Sequence, residues 1–134
     1  MRVIPSNFEK DWNGWAANQS GHIALGMFFA AVACMAYLAV FGEFPVRGPV
    51  WFSILVAYLY FETSHQRWQG ADTIEDTVFV AGYGAGGVLY TFKEVNIGTG
   101  DIIGNLWSAM PFLILASIHF IVGIWIRYRN EQAD

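Results

Sequence analysis

Between two apolar runs, residues 48–61 and 77–92, the chain carries Glu62-Thr-Ser-His65-Gln66-Arg67-Trp-Gln-Gly-Ala-Asp72-Thr-Ile-Glu75-Asp76. Carboxylates, an imidazole and a guanidinium together have the chemistry to hold a headgroup, an ion or a proton. If the first run continues as a helix, Glu62, His65 and Gln66 share a face, being three and four residues apart. On a helix that follows, Asp72, Glu75 and Asp76 are expected to share a face in the same way. His22 stands at the start of an earlier apolar run. Topology would bring it to the same end of a helical bundle.

Glu62 and Asp76 bear most of this expectation, because each abuts a short apolar run. An acid at the centre of a bilayer costs about 2.5–3.5 kcal/mol on insertion scales. Near the edge the cost falls, but burial still raises a carboxyl pKa. A purely structural alternative has Asp72, Glu75 and Asp76 capping a helix, where acids favour the positive end of its dipole. In that alternative Glu62 pairs with His22, His65 or Arg67.

Other chemistries fit less well. Glu62-Thr-Ser-His65 has the Glu-x-x-His spacing of bundle di-iron sites, which need a second copy. The residue three before His119 is Ala116, so no second copy exists. A single divalent cation on Glu62, His65, Asp72 or Asp76 stays open, since carboxylate and imidazole suit several metals. Ala81-Gly-Tyr-Gly-Ala-Gly-Gly87 lacks the Lys-Ser/Thr ending of a phosphate loop. Ser53 and Ser64 have no context that would make either a nucleophile. The expectation leans away from an enzyme, and no cofactor is expected.

The elements that must position these residues follow from composition. Of 134 residues, 55% are hydrophobic, 17% aromatic and 13% charged. The charged share is about half the globular norm of ~25%. A water-soluble chain this short could not hide so much apolar surface, so an integral membrane protein is expected. The net charge of −4 is scattered, with no basic stripe for nucleic acid. Cys34, the single cysteine, excludes an intramolecular disulfide. It follows Ala31-Val-Ala, which loosely mimics a lipoprotein cleavage box, but the apolar run continues to Phe41 as a span would.

Apolar runs and turn signals predict an all-α, four-transmembrane-helix bundle in one domain. Spans are expected at about 22–41, 48–66, 73–92 and 102–126. Pro49 suits a first helical turn, and Pro111 is expected to kink the last span. Before the spans, Ser6-Asn-Phe-Glu9 is a capping-box pattern. Phe8, Trp12 and Trp15 follow at helical spacing, so residues 1–20 read as a short amphipathic helix on the membrane surface. Arg2, Lys10, Arg67, Arg127 and Arg129 fall on one side and only Arg47 and Lys93 on the other, five against two. This excess predicts both termini in the cytoplasm. Gly82 and Gly86 form a small-xxx-small pair for helix packing, with Gly87 beside them, and could also seat a homo-oligomer contact. His119, in the last span, is expected to bond a neighbouring helix, through the surroundings of Ser108 or Ser117.

The pattern resembles the VanZ-like family of small polytopic membrane proteins. Ser-Gly-His22-Ile-Ala-Leu-Gly fits its His near the start of the first span, and Glu62-Thr-Ser-His65-Gln66 its acid-plus-Gln element ending the second. Asp76 fits the Asp opening the third span, and Gly87 the last Gly of that motif. The sequence departs from the pattern at Val80, where Asn is expected, and at Tyr83, where Gly is expected. The resemblance implies a four-helix protein of the bacterial inner membrane, linked to envelope lipids or to resistance against envelope-directed antibiotics. Combined with the residue reading, it predicts a cytoplasmic-facing polar pocket that binds an envelope lipid or other amphipathic ligand. His22, Glu62, Gln66 and Asp76 would line it, while His65, Arg67 and Asp72 rim it and Arg67 meets an anionic headgroup. The expected partners are membrane lipids. Two other functions fit the composition: a phage holin or related lysis pore, and an accessory subunit of a larger membrane complex.

Overall fold

A computed structural model describes residues 8, 10–43, 45–66, 71–91 and 102–133. Among these residues every regular element is helical. Helix α1 runs Trp12–Phe41, and α2 runs Arg47–Phe61 and continues as a π-helical segment over Glu62–Gln66. Then α3, Ala71–Thr77, leads without a break into a second π-helical segment, Val78–Ala85, and into α4, Gly86–Thr91. Helix α5 runs Ile102–Glu131.

The ends of α1 have local causes. Asp11 caps its N-terminus, its carboxylate accepting the Gly14 N–H at 2.7 Å. Gly42 ends it in the left-handed region at φ 73°, returning its N–H to the Leu38 carbonyl at 2.9 Å. Between them the helix is unbroken for 30 residues. The separate surface helix expected over residues 1–20 is therefore replaced, from Trp12 onward, by the first turns of α1. The expected capping box at Ser6 to Glu9 lies outside the described residues. Tertiary packing explains the continuity, for Trp15 and Gln19 are fully buried against other helices.

The two π segments flank the polar region. A π turn bonds i→i+5, so the backbone ladder shifts register where it starts and stops. Side-chain hydroxyls supply donors at those points. Thr63 bonds the Leu59 carbonyl at 2.8 Å and Ser64 the Tyr60 carbonyl at 2.6 Å. Thr77 bonds the Thr73 carbonyl at 2.6 Å. The Trp51 indole N–H reaches across from α2 to the Ala81 carbonyl at 2.8 Å.

Helix α1 packs most extensively on the second π segment. Gly26 and Gly84 make this crossing: a Cβ on Gly26 would strike the Val80 carbonyl, and one on Gly84 the Ile23 carbonyl. The expected pair behaves differently. Gly86 faces Phe112 of α5, whereas a Cβ at Gly82 would meet only Val78 of its own segment, and at Gly87 nothing within 4 Å. The π backbone is the reason, since residues four apart no longer stack on one face. Away from the polar region a small core joins Ala30, Cys34, Ile54, Ala85, Val88 and Leu89.

Polarity is inverted relative to a water-soluble fold. Gln19, Glu62, Thr73, Asp76 and Arg127 are buried, while Met35 is 71% and Ile121 67% exposed. Two stretches, Trp12–Phe41 and Ala109–Glu131, are long and apolar enough to cross a membrane. Pro111 lies inside α5, which continues through it.

Candidate functional site

Glu75 and Asp76 are adjacent on α3, about 100° apart around a helix of 3.6 residues per turn. They therefore face different neighbours, and the shared face expected for the α3 acids divides into two networks. Asp76 turns to α1. Its Oδ1 accepts the Gln19 side-chain N–H at 2.9 Å and lies 3.0 Å from His22 Nδ1. His22 Nδ1 also stands 3.2 Å from Gln19 Oε1. Both neighbours of that nitrogen are acceptors, so Nδ1 is the ring atom that carries hydrogen.

Glu75 turns instead to α5 and to the start of α1. Its Oε2 accepts the Trp15 indole N–H at 3.1 Å and Arg127 Nη2 at 3.3 Å. Its Oε1 lies 3.4 Å from His119 Nε2. On the other edge of that imidazole, Nδ1 is 3.3 Å from the Tyr83 hydroxyl. One neutral tautomer satisfies both contacts: Nε2–H donates to Glu75 and Tyr83 O–H donates to Nδ1. His119 thus bonds a neighbouring helix, through Tyr83 and Glu75; Ser117 is occupied with the Leu113 carbonyl.

Arg127 is only 2% exposed. It stacks over the Trp15 ring at 4.2 Å and donates to the Gly123 carbonyl at 3.3 Å. Gly123 makes the slot for the indole, because a Cβ there would overlap the Trp15 ring. Phe79 and Phe120 close around Trp15 with ring centroids at 5.9 and 5.5 Å.

The third component comes from α2. Tyr58 faces His22 with ring centroids 6.1 Å apart. Glu62, one turn further on, is 3% exposed. Glu62, Asp76 and Asp72 all lie close enough to act on the Tyr58 hydroxyl. That hydroxyl is within reach of the Glu62 carboxylate but completes no hydrogen bond, so Tyr58 Oη and Glu62 Oε1 are both buried without a partner. Asp72 lies within electrostatic reach of Asp76, Glu75, Glu62 and Arg127.

The two networks differ in charge balance. On the α5 side Arg127 answers Glu75. On the α1–α2 side, Asp76 meets His22, while among the described residues Glu62 and Asp72 form no ion pair and Arg127 acts on Asp72 from a distance. The expected residues His22, Glu62, Asp72 and Asp76 thus come together from three helical segments. Of His65 and Gln66 only the backbone is described, and Arg67 lies outside the described residues. Sequence reasoning missed Gln19, Tyr58, Glu75's role as a hub, Gly123 and Arg127. Gln19 had a usable signal: it lies three residues before His22 on what proved to be the same helix. Among the described residues no group of three His, Cys, Asp or Glu side chains is arranged to hold a metal ion.

Beside the site an apolar groove of about 930 Å³ runs between α1 and α2. Leu25, Phe29 and Ala33 form one wall and Ile54, Ala57 and Tyr58 the other. Its end at Tyr58 touches the polar site. In comparisons with known proteins, no family model, curated protein or solved structure matches the chain.

Proposed function

We propose that this is an integral membrane protein of four spans, with α2 and α3–α4 as the middle two, that binds an amphipathic membrane ligand in a polar pocket near one surface. The observation that carries this is the convergence of His22, Glu62 and Asp76 from separate segments around buried polar atoms without partners, beside an apolar groove. A burial of charge this costly is usually retained for a task. Structural capping does not explain Asp76, whose carboxylate meets Gln19 and His22 of α1 rather than free backbone N–H groups. The inverted polarity supports a membrane setting, since apolar side chains of this size on a surface suit lipid. Helices of 20 residues at 47–66 and 21 residues at 71–91 reach about 30 Å at 1.5 Å per residue, the thickness of the hydrocarbon core.

The VanZ-like resemblance of His22, Glu62 and Asp76 agrees with this reading, and so does a bacterial inner-membrane location with both termini in the cytoplasm. The pocket binds and handles its ligand non-covalently; among the described residues no nucleophile with an activating partner stands in it. The test is purification of wild type, Glu62→Gln and Asp76→Asn in mild detergent, with co-purifying lipids measured by mass spectrometry and helicity by circular dichroism. The variants should lose a lipid species that wild type enriches, at unchanged helicity. An identical lipid profile in all three would overturn the proposal.

A further inference from the structure

The polar site and the groove meet at Tyr58, which lines the groove and faces His22. His22 lies three residues before Leu25 on α1, and Glu62 four residues after Tyr58 on α2. One turn past the groove's end, each wall therefore presents an ionisable group to the same space. The groove runs along α2 from Pro49 to Phe61. That is about 18 Å at 1.5 Å per residue, against about 15 Å for half of the hydrocarbon core. An alkyl chain of one leaflet's depth fits along it. The one serine on its walls, Ser53, already donates to the Pro49 carbonyl at 2.8 Å. Apart from the hydroxyls of Tyr37 and Tyr58, the groove asks for an apolar tail.

The head end has the opposite need. Glu62, Asp76 and Asp72 all act on the Tyr58 hydroxyl there, and among the described residues Arg127 pairs with Glu75 and reaches Asp72 only through its field. Glu62 Oε1 is an acceptor that lacks a donor. A bond from Tyr58 would satisfy that atom but would bring no positive charge. An anionic head would add repulsion to three carboxylates. A quaternary ammonium would bring charge but no N–H. A protonated primary amine supplies both.

We propose, resting on the ligand-binding reading above, that the pocket takes an amphiphile with a primary ammonium head, its N–H groups on Glu62 and Tyr58 beside the His22–Asp76 pair and its tail in the α1–α2 groove.

The probe is radiolabelled dodecylamine, bound to the full-length protein in phosphatidylcholine nanodiscs, with empty nanodiscs subtracted. Trimethyldodecylammonium, dodecanol, dodecyl phosphate and propylamine serve as competitors. Saturable binding of one dodecylamine per chain is expected, with all four competitors much weaker than unlabelled dodecylamine. Glu62→Gln should weaken binding roughly 10- to 100-fold, the range of a hydrogen bond to a charged group. Ala57→Trp, on the lipid-facing wall of the groove, should block dodecylamine while leaving helicity intact, and so guards against a Glu62 variant that misfolds. Equal binding of trimethyldodecylammonium or dodecanol overturns the ammonium assignment, and wild-type affinity in Ala57→Trp overturns the tail placement. Saturable dodecyl phosphate binding that Glu62→Gln or Asp76→Asn abolishes would sink the ammonium head yet keep the pocket. No saturable binding of any amphiphile, together with unchanged co-purifying lipids, would sink both.

Discussion

Removing the Glu75 carboxylate tests the α5 network most directly. Arg127 is 2% exposed and meets Glu75 Oε2 at 3.3 Å; its remaining contacts are the Gly123 carbonyl and the Trp15 ring. Glu75→Ala leaves that guanidinium buried without its hydrogen-bonded carboxylate, with only the more distant Asp72 still acting on it, and leaves the Trp15 indole N–H without its acceptor. Breaking a buried pair from one side costs about 3–5 kcal/mol. That corresponds to a shift of roughly 10²- to 10⁴-fold in the unfolding equilibrium. The lost indole bond adds to this, but a neutral hydrogen bond contributes only about 0.5–1.5 kcal/mol, so the orphaned charge dominates. Arg127→Met in the Glu75→Ala background removes the orphan and should restore much of the loss, because replacing both members of a buried pair is often nearly neutral. The assay is a double-mutant cycle by denaturant unfolding in detergent, followed by circular dichroism. A single-mutant loss below about 1 kcal/mol would refute the reasoning, as would a double mutant whose loss equals the sum of the singles.

Two further outcomes are expected. Gly84→Leu should destabilise the fold by at least the ~1–3 kcal/mol typical of overpacking, since its Cβ meets the Ile23 carbonyl, whereas Gly87→Ala should be close to neutral; thermal unfolding of the two variants decides. Cys34 is buried at the helix core and should react with a membrane-permeant maleimide only when the fold opens, so immediate labelling of the native protein would contradict its placement.

The sequence by itself determined the all-helical class, the apolar character of α1 and α5, and the candidacy of His22, Glu62, Asp72 and Asp76. These follow from composition and local spacing, which act within a turn or two of the chain. It did not determine where α1 begins. Phe8, Trp12 and Trp15 have the spacing of a surface helix, and only the slot that Gly123 leaves on α5 shows that Trp15 belongs inside. Nor did it reveal the division of Glu75 from Asp76. On a linear chain the two are equivalent neighbours, and the helices packed on either side of α3 give them different partners. The glycines show the same limit. Gly82 and Gly86 have α-helical packing spacing, but the π backbone breaks that period and moves the close crossing to Gly26 and Gly84.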